Sequence, residues 1–296
     1  MNLNEFVEKA DKADCKLSMC NTIVLHDGVF HADDVFAYCL VAYMSGKMPM
    51  LIRTRKEVPD HINPETTVVA DVGNGRYDHH SETKVSKYNS HHVRAAVGLL
   101  WEKAREELKE KFDPVLLDKF DEEFIYPIED TDNYGPRNYP NQLSGVISSF
   151  NVKPGTPAAV SDSQFMMVVN IASAIFSRQI MNLIDENIEI KEIRELKPDG
   201  QLLVVPDKGV NTPLAKRVHP GISMVVFKKD DGTYGLTSLN SDIWKIPQIE
   251  LLPEEIKGDC LFVHRTGFFA VFGTMPSAIK VAKMLIDDAN EKVGRM

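Results

Sequence analysis

Two textures of apolar patterning divide the chain. In the first part, short continuous apolar runs alternate with longer stretches of helical period, as in buried strands and the helices covering them. Residues 22–26 (TIVLH) form a β-branched run that breaks into the turn His26-Asp27-Gly28, which predicts a buried strand ending in a loop. Residues 34–44 are apolar nearly all round and stop at Ser45-Gly46, which predicts a helix packed under a sheet. Two further strands are expected at 50–54 and 66–71. Strand–helix–strand alternation at these lengths implies a parallel sheet joined by right-handed crossovers.

Helical period returns at Val97, Leu100, Trp101, Ala104, Leu108 and Phe112. Asp113-Pro114 has the form of an N-cap followed by proline, opening a helix past Phe120 and Phe124 into Ile128-Glu129-Asp130-Thr131-Asp132-Asn133. Residues 134–157, rich in Gly, Pro and Asn, predict a long loop with the character of a lid. Ser161 is expected to cap a long helix striped with Phe165, Val168, Val169, Ala172, Ile175, Phe176 and Ile180.

From about Gln201 short strands are expected at 202–205, 222–227, 234–239, 261–264 and 268–272, with Asp231-Gly232 as a hairpin signal. An amphipathic helix over 275–290 closes the chain. The expectation is an α/β fold: residues 1–195 form a domain with a mainly parallel sheet flanked by helices, and 196–296 a smaller α+β domain.

Length and composition fit this picture. With 296 residues, 43% of them apolar and 26% charged, the chain can bury two cores and is not of disordered type. No uninterrupted apolar run comes near bilayer length, so no membrane partner is expected. The first residues mix acidic and basic side chains unlike a signal or transit peptide, which makes the cytoplasm the default location. A net charge of −9 rules out nucleic-acid binding through the overall field and requires a local basic groove. Cys15, Cys20, Cys39 and Cys260 show no framework spacing and fit reduced thiols.

Seven of the nine histidines lie in the first 92 residues, and three clusters follow one another there. They are His26-Asp27-Gly28-Val29-Phe30-His31-Ala32-Asp33-Asp34, then Asp71, then Asp78-His79-His80, with Asp130 or Asp132 as a fourth contributor. In open α/β sheets, residues just beyond the carboxyl ends of adjacent strands share one crevice, so His26 and Asp71 should meet. So many carboxylates would repel each other unless cations offset them. Imidazole and carboxylate donors without thiolates suit Mn²⁺ first and Mg²⁺ second. A pair of such ions, with Asp71 as the natural bridge, activates water and clamps phosphoryl oxygens, so hydrolysis of a phosphoester or phosphoanhydride is the expected reaction.

HDGVFHADD, VVADVG, YDHH and IEDTDN, in this order, resemble the four signature motifs of the DHH phosphoesterase superfamily. Within it the chain is most similar to the Myg (melanocyte-proliferating-gene type) family, through Arg53-Thr54-Arg55, the DVG…RYDHH stretch and CLFVHRTGF near the end. The resemblance implies a bimetal DHH-type domain, a C-terminal substrate domain and 3′–5′ exoribonuclease activity on short or single-stranded RNA. By motif position it implies His26 and His31 on a first metal, Asp33 and His79 on a second, and Asp71 between them. His80 would donate to the scissile phosphate, and Asp132, with Asp130 as the alternative, would complete the set. Arg53, Arg55, Arg76, His264 and Arg265 are the candidate substrate contacts. A small-substrate phosphohydrolase acting on pyrophosphate, a nucleoside bisphosphate or a cyclic dinucleotide is the alternative, as is a non-catalytic metal- or RNA-binding relative; a homodimer is left open. In departure from the family pattern, Gly267-Phe268 is followed by Phe269-Ala270-Val271 rather than a glycine pair, and motif four reads Asp132-Asn133-Tyr134-Gly135.

Overall fold

The computed structural model describes residues 1–80, 82–135 and 142–293. The chain forms two compact units, Met1–Asp185 and Glu186–Met296.

The first unit opens with α1 (Leu3–Ala13), capped by the Asn2 side chain, which accepts from the Asn4 amide. Leu3, Phe6, Val7 and Ala10 bury one face of it against Val24, Val58, Ile62 and Val69. This helix was not anticipated, although its i, i+3, i+4, i+7 spacing is the ordinary helical signal; Glu5, Glu8, Lys9, Asp11 and Lys12 occupy most of the remaining positions. Strand β1 (Thr22–Leu25), helix α2 (Ala32–Ser45), β2 (Met50–Arg53) and β3 (Thr67–Val69) follow. The sheet is parallel in the order β2-β1-β3, with Ile23 opposite Leu51 on one side and Val68 on the other. Gly46 ends α2 at φ +68°, a left-handed cap that glycine adopts without a Cβ penalty.

Helix α3 (Ala96–Leu108) precedes α4 (Pro114–Phe120), whose cap Asp113 accepts from the Val115 amide. A π-helical turn, Asp121–Ile125, leads into α5 (Tyr126–Tyr134), which stops at Gly135. Part of the expected long loop, residues 136–141, lies outside the described residues; another part is helical, α6 (Leu143–Ser148). Helix α7 (Ala158–Glu195) runs for 38 residues. It begins before Ser161, so that residue is no N-cap: it sits in the first turn and its hydroxyl donates to Gly28 O at 3.2 Å. By length and composition α7 could cross a membrane, with only a third of its apolar stretch buried. Scattered polar residues break its apolar run, so inspection for uninterrupted apolar sequence misses it.

The second unit contains β4 (Leu202–Val205), α8 (Thr212–Val218), β5 (Met224–Lys228), β6 (Tyr234–Ser238), α9 (Glu254–Lys257), β7 (Cys260–Val263), β8 (Phe269–Phe272) and α10 (Met275–Val293). Its five strands run β4-β5-β6-β8-β7, parallel only between β4 and β5. Asp231-Gly232 turns the β5–β6 hairpin, with Gly232 at φ +84°. Leu202, Met224, Leu236, Phe272 and Ala282 are among its core residues. The units divide inside α7, between 185 and 186, rather than at the expected 195/196. The reason is local: Glu189 accepts from the Asn211 amide and Ile193 O contacts the His219 ring, so the last turns of α7 pack with α8 and its flanks.

Candidate metal centre

His26 is the residue after β1, and Asp71 lies two residues beyond β3, so pairing of these parallel strands brings both to one sheet edge. Asp71 adopts φ +56°, a left-handed conformation that Asp tolerates better than most residues. The turn through Gly73 and Asn74 then folds back, and the Asp71 amide donates to Tyr77 O at 3.0 Å. Buried Asp78 accepts from the amides of Asn74 and His80, fixing the His79-His80 pair against the strand end.

The side chains converge. His26 Nε2 lies 3.1 Å from Asp34 Oδ2 and 3.1 Å from Asp71 Oδ2. His79 Nε2 is 3.1 Å from Asp71 Oδ1 and 3.1 Å from Asp132 Oδ2, while His31 Nδ1 is 3.3 Å from Asp132 Oδ1. His80 Nδ1 stands 3.2 Å from Asp71 Oδ1 and 2.9 Å from Asp78 Oδ1. Donor atoms fall into four overlapping triads, each within 4.8 Å: His26/His31/Asp34, Asp33/Asp34/Asp71, His31/Asp33/Asp132 and Asp71/His79/His80.

This donor set fits divalent cations. Asp33, Asp34 and Asp71 are 0–1% exposed. Among the described residues, both oxygens of Asp33, one each of Asp34 and Asp71, and His79 Nε2 have no hydrogen-bond partner. His79 Nε2 is close to two carboxylates yet makes a hydrogen bond to neither. Stranding polar atoms at such depth costs several kcal/mol per uncompensated charge, and a cation among them removes that cost.

The protonation pattern of the metal-free cluster follows from the same crowding. Burial opposes charge on His26, but Asp34 and Asp71 overcome it and push the ring up to about 10. His79 is likewise raised to about 10, by Asp132 and Asp71 against burial. Burial alone would raise Asp71, yet the His26 and His79 rings beside it hold it well below the usual carboxylate range. Asp33 is raised by burial and by its neighbours Asp71 and Asp132; burial also raises Asp34.

The remaining sequence candidates are placed unevenly. Asp132 is inside the cluster, whereas Asp130 faces His92 at 3.9 Å and belongs to no triad. Asp34, the last residue of the first sequence cluster, caps α2 by accepting from the His31 amide and also faces His26 in the centre. Arg53, a candidate substrate contact, has a side chain only 1% exposed that donates to His26 O, Gly28 O, Ser161 and Asp162, over the Phe165 ring. It braces the loop that carries His26 and His31. Arg76 is held on α1 by Asp14 and Asp11 O. Arg55 is half exposed and 3.3 Å from Asp27. His264 and Arg265 lie in the second unit, at the end of β7 and in the turn after it.

One supporting cluster escaped the sequence reading. Fully buried Arg94 donates to Glu102, Asp121 and Glu129, and Glu129 also accepts from the Ala95 amide. This ties α5, which carries Asp132, to the start of α3. Gly98 makes room for it, since a Cβ there would meet Glu129 Oε1 at 1.7 Å. The place of Glu129 inside motif four, IEDTDN, was the available signal.

The MYG1_exonuc family model, described as an uncharacterised protein family (UPF0160), matches residues 22–211. No curated protein matches the chain. Five solved chains do. One is the crystal structure of exonuclease RecJ bound to manganese, 15% identical, covering 95% of this chain and 94% of that chain at a TM-score of 0.28.

Proposed function

Because the chain belongs to the MYG1 exonuclease family and is a metal-dependent hydrolase of that family, we propose that it holds two divalent cations and removes nucleotides from the 3′ end of short, single-stranded RNA. The observation carrying this reading is the buried set Asp33, Asp34, Asp71 and His79, whose stranded atoms need cations. Four overlapping donor triads favour two ions over one. Mixed imidazole and carboxylate donors favour Mn²⁺, with Mg²⁺ second.

His26, His31, Asp33, Asp34, Asp71, His79 and Asp132 would hold them, with Asp71 shared. When bound, the ions supply positive charge for phosphoryl oxygens and a lowered pKa for water. The chain's own groups do the rest. Half-exposed His80, its Nδ1 engaged by Asp78, has Nε2 left to donate to a phosphoryl oxygen. Arg55, also half exposed, offers a cation for a neighbouring phosphate.

The second unit supports a single-stranded substrate. Phe262, His264 and Phe268 form a row with ring centroids 6.5 Å and 4.5 Å apart, and both phenylalanines are exposed. Exposed Arg265 follows His264 in the chain, and the stem of exposed Lys245 lies against Gly267. Rings for bases and cations for phosphates are what a chain of net charge −9 needs to hold RNA locally. Four free cysteines, with Cys15 and Cys20 sulfurs 3.0 Å apart, support a reducing location, which we take to be the cytoplasm.

Purified protein with Mn²⁺ or Mg²⁺, given 5′- and 3′-labelled oligoribonucleotides, oligodeoxyribonucleotides and pyrophosphate, tests the reading. A ladder of shortened 5′-labelled RNA is expected. Turnover of pyrophosphate alone, or no metal-dependent turnover, overturns it.

A further inference from the structure

Helix α7 is apolar on two opposite faces, and among the described residues only one is covered. Phe165, Val168, Val169, Ala172, Phe176, Ile180 and Leu183 are buried. On the other side Val160, Met167, Ile171, Met181, Ile184 and Ile188 are 44–64% exposed. A helix hydrophobic all round is normally buried all round.

The exposed stripe has an internal order. Val160, Met167, Ala174, Met181 and Ile188 follow one another at intervals of seven, all exposed. A period of seven drifts slowly around a 3.6-residue helix, which suits a second helix crossing at a shallow angle. Side chains of like kind also flank Ala174 at matched positions: Met167 and Met181 seven residues away, Val160 and Ile188 fourteen. A two-fold axis at Ala174 pairs these positions, since residue i of one copy must meet residue j of the other and the reverse.

We propose that α7 pairs with α7 of a second copy, antiparallel, about a two-fold axis at Ala174. Met167 then packs on the second copy's Met181, Val160 on its Ile188, and the small Ala174 lets the backbones approach. Arg178 meets Asn170 and Asp185 meets Ser163, so no like charges face each other along the stripe. The six large apolar side chains expose on the order of 600 Å² per copy, so a pair buries ~1,200 Å², the lower limit of specific interfaces. A membrane would cover the stripe without regard to its symmetry, and the opposite face of α7 is already packed in the first unit.

The test uses the full chain, measured by light scattering at concentrations up to ~100 μM, where an interface of this size should hold. Wild type is expected at twice the 33.3 kDa of one chain. Met167→Lys and Met181→Glu, both surface changes with unaltered circular dichroism, should each run as monomers. Mixing the two variants should restore the dimer, because one lysine then meets one glutamate and the other contact stays Met on Met. Ala174→Cys should link to itself under mild oxidation into a species of doubled mass, whereas Met167→Cys alone should not. A monomeric wild type, a dimer that survives both charge variants, no rescue on mixing, or wild type sedimenting with phosphatidylglycerol vesicles instead of self-associating would each overturn the proposal.

Discussion

His26 Nε2 stands 3.1 Å from Asp71 Oδ2, joining the end of β1 to the turn beyond β3. The contact has a structural cause and a chemical consequence. Parallel pairing places both residues at one edge, and burial then makes their charges depend on each other and on whatever ion sits between them.

Asp71 touches His26, His79 and His80, so no other substitution should disturb the centre as broadly. Asp71→Asn keeps the shape and removes the charge. Hydrolysis should fall roughly 100-fold or more, and stabilisation by added Mn²⁺ should vanish. Thermal melting with and without Mn²⁺ checks the second part independently of turnover; an unchanged Mn²⁺ shift contradicts the site.

Metal uptake should release protons. In the metal-free protein His26 and His79 titrate near 10, so both are charged at pH 7 and must lose a proton to ligate. Apparent affinity should rise as pH increases from 6 to 9, by up to about tenfold per unit for each proton released. Calorimetric titration in two buffers of different ionisation enthalpy counts those protons. Without metal the sign reverses. Two histidines raised from 6.5 to about 10 contribute stability that is complete below 6.5 and lost as pH climbs through 10. Melting temperature in EDTA should therefore decline over that window.

Arg94→Met takes from Glu102, Asp121 and Glu129 the one cation they share, leaving Asp121 with Arg105 and Glu129 with the His92 ring. The cost should be about 3–5 kcal/mol, read as a lower urea midpoint and a melting point reduced by roughly 10 °C. Gly98→Ala should destabilise as well, because its Cβ collides with the Glu129 carboxylate.

Arg53→Ala separates the two roles considered for that residue. Its guanidinium is spent on His26 O, Gly28 O, Ser161 and Asp162. The variant should melt lower and bind Mn²⁺ more weakly, with KM for oligonucleotides nearly unchanged. A KM rise at normal stability would return Arg53 to the substrate.

Apolar runs and strand–helix alternation were enough to read β1, α2, β2 and β3 from the chain alone: β1 and β3 are buried on both faces and write that into their sequence, while β2, a half-buried edge strand, shows in its short apolar run and its place after α2. His26 and Asp71 were legible for a related reason: they stand at ends of such runs, where topology leaves little choice of direction, whereas His31, Asp33 and His79 were legible through the clustering of His and Asp and the family resemblance. Local patterning could not show how Arg53 would be used, since a basic residue at a strand end reads the same whether it faces solvent or braces a loop; only the Ser161 and Asp162 partners on α7 decide it. Nor could it separate Asp130 from Asp132. Both lie on α5, and helix rotation, set by the buried Arg94–Glu129 network, turns one toward His79 and the other toward His92. Charges at depth are positioned by partners distant in sequence, and that is information a linear pattern does not carry.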